Sequence, residues 1–118
     1  LPKIMGDRRM ISQLVNNLIS NALKYSGKKE NPVIEIGFDQ QEDEVIYFIK
    51  DNGVGFDPKH KDKIFEVFSR VATDDFIGSG IGLSIAKKVV DKHKGALWVE
   101  TIPGEGSTFY FSLPDIED

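Results

Sequence analysis

Glu44-Val45-Ile46-Tyr47-Phe48-Ile49-Lys50-Asp51-Asn52-Gly53-Val54-Gly55-Phe56 is the stretch on which the fold turns. Val45 to Ile49 is apolar on both faces of an extended chain. Such a run suits a central strand, covered on both sides or covered on one and packed at its ends. It stops at a carboxylate, and Asp51 to Phe56 reads as a glycine-broken turn. Immediately upstream, Val33, Ile34, Ile36 and Phe38 predict a partner strand over Pro32 to Phe38, with polar Gln40 to Asp43 as the hairpin turn. Further upstream, Ile11, Leu14, Val15, Leu18, Ile19 and Ala22 recur at three- and four-residue spacing. That spacing predicts a helix from Asp7, its N-cap, to Tyr25, stopped by Ser26-Gly27.

Downstream of the turn, Asp62 to Phe68 predicts a short helix, and Val71 to Ser79 has no period and reads as a mobile loop. Ile81 to His93 predicts a second long helix with Ile81, Ile85, Ala86, Val89 and Val90 on one face. Ala96 to Thr101 and Ser107 to Leu113 form a closing hairpin through Pro103-Gly104-Glu105-Gly106. No repeat or linker interrupts the 118 residues, so they read as one domain. Helices packed on paired strands give an α+β two-layer sandwich.

The composition, 40% hydrophobic and 29% charged, is that of a globular domain and excludes a disordered tail. A net charge of -4 argues against sequence-independent binding to nucleic acid, which needs clustered cations. It does not argue against a small anion held by a few aimed donors. The absence of cysteine removes disulfides, thiolate nucleophiles and cysteine metal sites together. No apolar run approaches membrane-spanning length. The first residue is Leu1, so the chain is expected to be a fragment of something longer.

Three local patterns carry chemistry. Asn17, Asn21 and Lys24, spaced four and three apart, share one helical face that Tyr25 flanks. An amide oxygen is a hard neutral ligand that suits magnesium, and a lysine suits phosphate oxygens. Asp51, ahead of Gly53 and Gly55, could accept a hydrogen bond from an exocyclic amine such as that of adenine. Guanine presents a carbonyl oxygen there instead, and two acceptors facing each other cost roughly 1–3 kcal/mol. Gly78-Ser79-Gly80-Ile81-Gly82-Leu83 opens the second helix and exposes backbone N–H groups to anions. It lacks the Lys-Ser or Lys-Thr pair of a phosphate loop, and Leu83 stands where a dinucleotide fingerprint needs glycine. Each pattern alone has an ordinary explanation: chance asparagines, a tight turn, a glycine-rich helix start.

Their order and spacing are more specific. Asn17 to Ser26 resembles the N box of histidine kinases, Asp51 to Phe56 their first glycine box, and Lys63 to Arg70 their F box. Gly78 to Leu83 resembles the second glycine box and Gly104 to Phe109 the short last one. The chain thus resembles the histidine-kinase branch of the GHKL ATPase and kinase superfamily, most closely the phytochrome-type and PAS-linked sensor kinases. The resemblance implies the Bergerat ATP-binding fold: a mixed, mostly antiparallel sheet with about three helices on one face. It implies ATP and Mg2+ as ligands, with Asn21 on the metal, Asn17 assisting there and at the phosphates, and Lys24 on phosphate. Tyr25 would lie against the nucleotide and Asp51 would read the adenine amine. Gly53, Gly55 and Phe56 would shape the base pocket, and Thr108 would help close it. Gly78, Ser79, Gly80, Ile81, Gly82 and Leu83 would form the phosphate-side hinge, with Val71 to Ser79 as a lid; Arg70 would reach a phosphate or remain a surface arginine.

Gyrase-, Hsp90- and MutL-like members carry a water-activating glutamate four residues before the metal asparagine, where this chain has Asn17. An amide cannot act as a base, and general-base help is worth roughly 10²–10⁴-fold in rate. Transfer to a protein nucleophile is therefore expected over hydrolysis. The implied acceptor is a histidine of an upstream phosphoacceptor and dimerisation domain, with a response-regulator receiver domain as the downstream partner. His60 and His93 sit in nothing resembling an acceptor motif. The isolated domain is expected to be a monomer, the full-length protein a homodimer, and the location cytoplasmic, with room for a membrane anchor elsewhere. The open alternatives are a serine kinase of the anti-sigma-factor type on the same fold and a nucleotide-binding module that only docks a partner.

Overall fold

The computed structural model describes residues 8–27, 29–42, 44–61, 63–65 and 82–114. They form, in chain order, α1 (Arg8–Ser26), β1 (Ile34–Gln40), β2 (Glu44–Asp51), α2 (Gly82–Lys92), β3 (Ala96–Ile102) and β4 (Gly106–Pro114). Single turns of 3-10 helix at Pro58–His60 and Lys63–Phe65 lie between β2 and α2. Each element falls within two residues of its expected bounds at the ends that are described. The predicted N-cap Asp7, most of the short helix 62–68 and the loop 71–79 lie outside the described residues.

The sheet order is β1-β2-β4-β3, so β2 and β4 are central, as the two-sided apolar character of Val45 to Ile49 demands. Among the described residues all three strand pairings are antiparallel, in keeping with the expected mostly antiparallel sheet. Among the described residues there are two α-helices, against about three expected. The stretch read as a short helix enters as the 3-10 turn Lys63–Phe65.

Both α-helices lie on one face of the sheet. Alternation along the strands turns Tyr47 and Ile49 of β2, Leu97 and Val99 of β3, and Phe109, Phe111 and Leu113 of β4 toward them. The helices answer with Leu14, Leu18 and Ala22 from α1 and Ala86, Val89 and Val90 from α2. Tyr47 and Phe111 stack with ring centroids 5.0 Å apart, and Phe65 meets Phe109 edge-on at 6.1 Å. Burying one such side chain contributes about 1.5–3 kcal/mol, and this shared core fixes the helix-to-sheet geometry on which the site depends. The helices sit over β2, β4 and β3 more than over the edge strand β1, which leaves Ile36 47% and Phe38 46% exposed.

The end of α2 shows how local chemistry stops a helix. His93 Nδ1 lies 2.8 Å from the Val89 carbonyl oxygen. The Lys94 N–H donates to Asp91 O at 3.1 Å and the Gly95 N–H to Val90 O at 2.8 Å, the paired bonds of a Schellman cap. The residue that must adopt the left-handed conformation there is Lys94, at φ 59°. A side chain in that region costs roughly 1–2 kcal/mol, which glycine avoids at some cost in unfolded-state entropy. Lys94→Gly is therefore expected to stabilise the domain by about 0.5–1 kcal/mol, read as a higher urea midpoint with an unchanged slope.

Candidate functional site

The site is built where the C-terminal end of α1 meets the turn after β2. α1 has an amphipathic cross-section: Leu14, Leu18, Ala22 and Tyr25 are buried, Ser12, Asn16, Ser20 and Lys24 are exposed, and Asn17 and Asn21 lie half-buried on the boundary. Neither asparagine amide nitrogen touches solvent, and neither has a hydrogen-bond partner among the described residues. Buried amide donors without partners are costly and rare, at roughly 1–3 kcal/mol each. Their side chains are thus poised for a polar group that the described residues do not supply. Lys24 projects outward from the same flank.

β2 ends in Asp51, which is only 2% exposed. Its Oδ1 accepts a hydrogen bond from the Gly53 N–H at 2.8 Å, while Oδ2 is buried with no partner. Burial pushes the Asp51 carboxyl above its ordinary value, and the N–H groups of Gly53 and Ser107 pull it partly back. One acceptor oxygen therefore faces inward, fixed by its own turn and free to receive a donor. Tyr25 ties this carboxylate to α1. The Val54 N–H donates to the Tyr25 carbonyl at 3.3 Å. Burial first and the Asp51 charge second push the Tyr25 hydroxyl up to about 12, so it keeps its proton at neutral pH. Tyr25 lies one turn beyond Asn21 on α1, so the amide flank and the carboxylate share one junction.

The turn needs its glycines for a stated reason. A Cβ on Gly53 would collide with the Tyr25 carbonyl, and one on Gly55, at φ 65°, would collide with the Ile102 carbonyl. Asn52 clamps the turn from outside. Its Oδ1 accepts from the Val33 N–H and its Nδ2 donates to the Asn31 carbonyl, both at 2.8 Å. The β3–β4 hairpin leans on the same place: the Gly104 N–H donates to Val54 O at 2.7 Å, and Lys29 Nζ donates to Gly104 O at 2.8 Å.

Of the residues singled out in the sequence, Tyr25, Asp51 and Gly53 meet at the turn, Gly55 lies against Ile102 of the hairpin, and Asn17, Asn21 and Lys24 precede Tyr25 along α1. Phe56 is 4% exposed and belongs to the core beneath the turn, its N–H donating to Thr101 Oγ1 at 3.0 Å. Gly82 opens α2, and Leu83 packs half-buried against the core. Arg70, Gly78, Ser79, Gly80 and Ile81 lie outside the described residues. Thr108 is not with the others. Ser107 is the partner of Asp51 across β2 and β4, and Thr108, the next residue, turns to the opposite face and pairs with Lys50. The buried hydroxyl beside Asp51 is that of Ser107, 2.8 Å from Thr101 Oγ1. Period-two alternation counted back from Phe109 and Phe111 carries this signal in the sequence. Asn52 and Thr101 were also missed, because their partners are distant in sequence.

Among the described residues no cluster of three His, Cys, Asp or Glu side chains could hold a metal by itself. A divalent ion here would depend on Asn21, waters and ligand oxygens, a division of labour that suits magnesium.

Residues 6–117 match the family of histidine kinase-, DNA gyrase B- and HSP90-like ATPases. The chain is 45% identical over 115 residues to the phytochrome-like protein Cph1 of Synechocystis, covering 97% of this chain and 15% of that protein. It is 38% identical to the sensor histidine kinase WalK of Bacillus subtilis, over 95% of this chain and 19% of that one. The chain therefore spans less than a fifth of the length of these two relatives. Among solved structures, the mycobacterial sensor histidine kinase MprB superposes with a TM-score of 0.84 at 32% identity, covering 94% of this chain and 76% of that one. The catalytic domain of the histidine kinase ThkA superposes at 0.77 and 31% identity, covering 92% and 69%. Fold, junction and kinship agree: the chain belongs to the histidine kinase-, DNA gyrase B- and HSP90-like ATPase family.

Proposed function

We propose that this domain binds magnesium-ATP and passes its γ-phosphoryl group to a histidine on a separate domain, as the kinase part of a sensor protein. The observation that carries the reading is the buried, half-satisfied Asp51 carboxylate, joined through Tyr25 to a helix flank bearing two unpartnered amides. Asp51 Oδ2 would accept the adenine amine, the turn at Gly53 and Gly55 would lie along the base, and Ser107 would border it. Asn17, Asn21 and Lys24 would meet the phosphate end. Magnesium, held through Asn21, would neutralise phosphate charge. The acceptor imidazole nitrogen would attack the γ-phosphorus; the new N–P bond forms as the P–O bond to the β-phosphate breaks, and ADP leaves with the electron pair. With Asn17 in place of a carboxylate, this chain positions phosphate without activating water, as suits transfer between molecules. The names of the relatives support a histidine as acceptor and, by the same reading, a receiver domain as next partner. Full-length dimerisation and action on the cytoplasmic side, where ATP resides, belong to the same proposal.

Isothermal titration of the domain with ATP, with and without magnesium, tests the reading. Saturable binding that weakens when EDTA removes the metal is expected; no heat at millimolar ATP rejects it. Added to a histidine-bearing acceptor domain with labelled ATP, the domain is expected to yield an acid-labile, alkali-stable phosphoprotein.

Asp51→Asn replaces the inward acceptor with an amide donor. It is expected to lower ATP affinity by roughly tenfold or more, without loss of stability at pH 7, because the carboxylate it removes is a charge held out of water. The pH dependence follows from the raised carboxyl. Only the ionised form receives the adenine amine fully, so affinity falls as pH drops through the carboxyl's titration, which burial moves above the ordinary 3.8. In the same window the free domain gains stability, since its folded state holds the Asp51 proton more tightly than the unfolded chain. Both trends are expected to vanish in Asp51→Asn, measured by titration and by urea unfolding across pH.

Asn52→Ala removes two hydrogen bonds that hold the turn. A loss of about 1–2 kcal/mol in stability is expected, together with weaker ATP binding. Asn52→Asp, which keeps only the acceptor, is expected to fall between.

A further inference from the structure

The face of the sheet turned away from the helices is not a plain solvated surface. Strand register places Gly37, Phe48, Tyr110 and Trp98 in a single row across all four strands. The rings touch in sequence: Trp98 stacks on Tyr110 with centroids 5.4 Å apart and planes 11° apart, and Tyr110 meets Phe48 at 6.4 Å. At the end of the row Phe48 lies over Gly37, where a Cβ would strike its ring. All three aromatics are half-buried and keep part of their surface in solvent. Core packing does not account for them, since the core lies on the other face.

A depression of about 760 Å³ runs along this face and reaches the hairpin end of the sheet. Among the described residues, the exposed charges that line it are Glu35, Asp39, Glu100 and Glu105, against one lysine, Lys50. The Tyr110 hydroxyl donates to Glu100 Oε2 at 3.4 Å, which aims that carboxylate along the aromatic row. Aromatic surface framed by carboxylates is complementary to one chemistry. Guanidinium and ammonium groups stack on rings and pair with carboxylates at once. Nucleic acid and anionic lipid carry the wrong sign, and a second copy of this acidic chain would bring carboxylates against carboxylates. Four strands at their usual spacing span roughly 14 Å, the length of about four extended residues.

We propose that this outer face docks a short, extended, arginine- or lysine-bearing segment of a partner protein. The aromatic row lies on the face opposite the core, and at its hairpin end the depression reaches Asp51, Thr101 and Ser107, beside the proposed nucleotide site. The proposal stands whether or not the phosphoryl acceptor is a histidine.

Trp98 is the chain's one tryptophan, so the proposed surface carries its own reporter. The 118-residue domain is titrated with an eight-residue peptide of alternating arginine and glycine, following Trp98 emission, with an alternating glutamate–glycine peptide as control. A saturable change with the arginine peptide alone is expected, weakening as salt rises from 50 to 300 mM. The double variant Glu35→Gln/Glu100→Gln removes two surface carboxylates and no core contact. It is expected to bind the arginine peptide roughly fivefold to tenfold less tightly, while ATP binding stays as in the parent. No emission change, an equal change with the acidic peptide, or equal affinity in the double variant overturns the proposal. Concentration-dependent dimerisation that buries Trp98, seen by sedimentation equilibrium without peptide, also overturns it and assigns the face to a second copy.

Discussion

A carboxylate kept out of water at the end of a central strand is the constraint from which the site follows. Asp51 is held by the N–H of its own turn on one oxygen and left open on the other. A buried charge so placed is costly unless something completes it. The described residues supply no completing group, and the two asparagine amides of α1 are left in the same condition. Among the described residues the unfilled hydrogen bonds fall on α1 and on the end of β2. Stability is thereby surrendered at one junction and recovered in the core beneath it, where Leu14, Leu18, Val90 and Phe109 are almost wholly enclosed.

Placing both helices on one face divides the sheet between two tasks. Along β2, Tyr47, Ile49 and Asp51 turn toward the helices, while Phe48 and Lys50 turn away. β4 repeats the division with Ser107, Phe109 and Phe111 against Thr108 and Tyr110. Neighbouring residues on one strand thus serve opposite surfaces. A shift of register by one residue would exchange them wholesale, and the bulky inner aromatics hold that register in place.

Much of this was legible in the sequence. The three- and four-residue spacing from Ile11 to Ala22 gave α1 and its core face, and the two-sided apolar run from Val45 to Ile49 marked β2 as central. The pairing of an amide stripe with a carboxylate-bearing turn was visible as motif order. Thr108 departs from the motif-based expectation, because strand parity turns Ser107 inward and Thr108 to the opposite face. The clamp of Asn52 on residues 31 and 33 was hidden, because side-chain hydrogen bonds to a neighbouring segment leave no periodic trace. Local patterns report faces and turns; they do not report which distant backbone groups a side chain will satisfy.

The hairpin tip has a consequence of its own. Val54 accepts from Gly104 and donates to Tyr25, Lys29 reaches over to the Gly104 carbonyl, and Thr101 Oγ1 gathers Phe56 and Ser107. Four stretches of chain, from α1, the loop after it, the turn and the hairpin, are knotted together by bonds each of modest strength. None of them can swing out without stripping partners from the rest. This junction of turn and hairpin is therefore a single cooperative unit, opening all at once or not at all, and its amides should share one protection factor in hydrogen exchange instead of fraying one loop at a time.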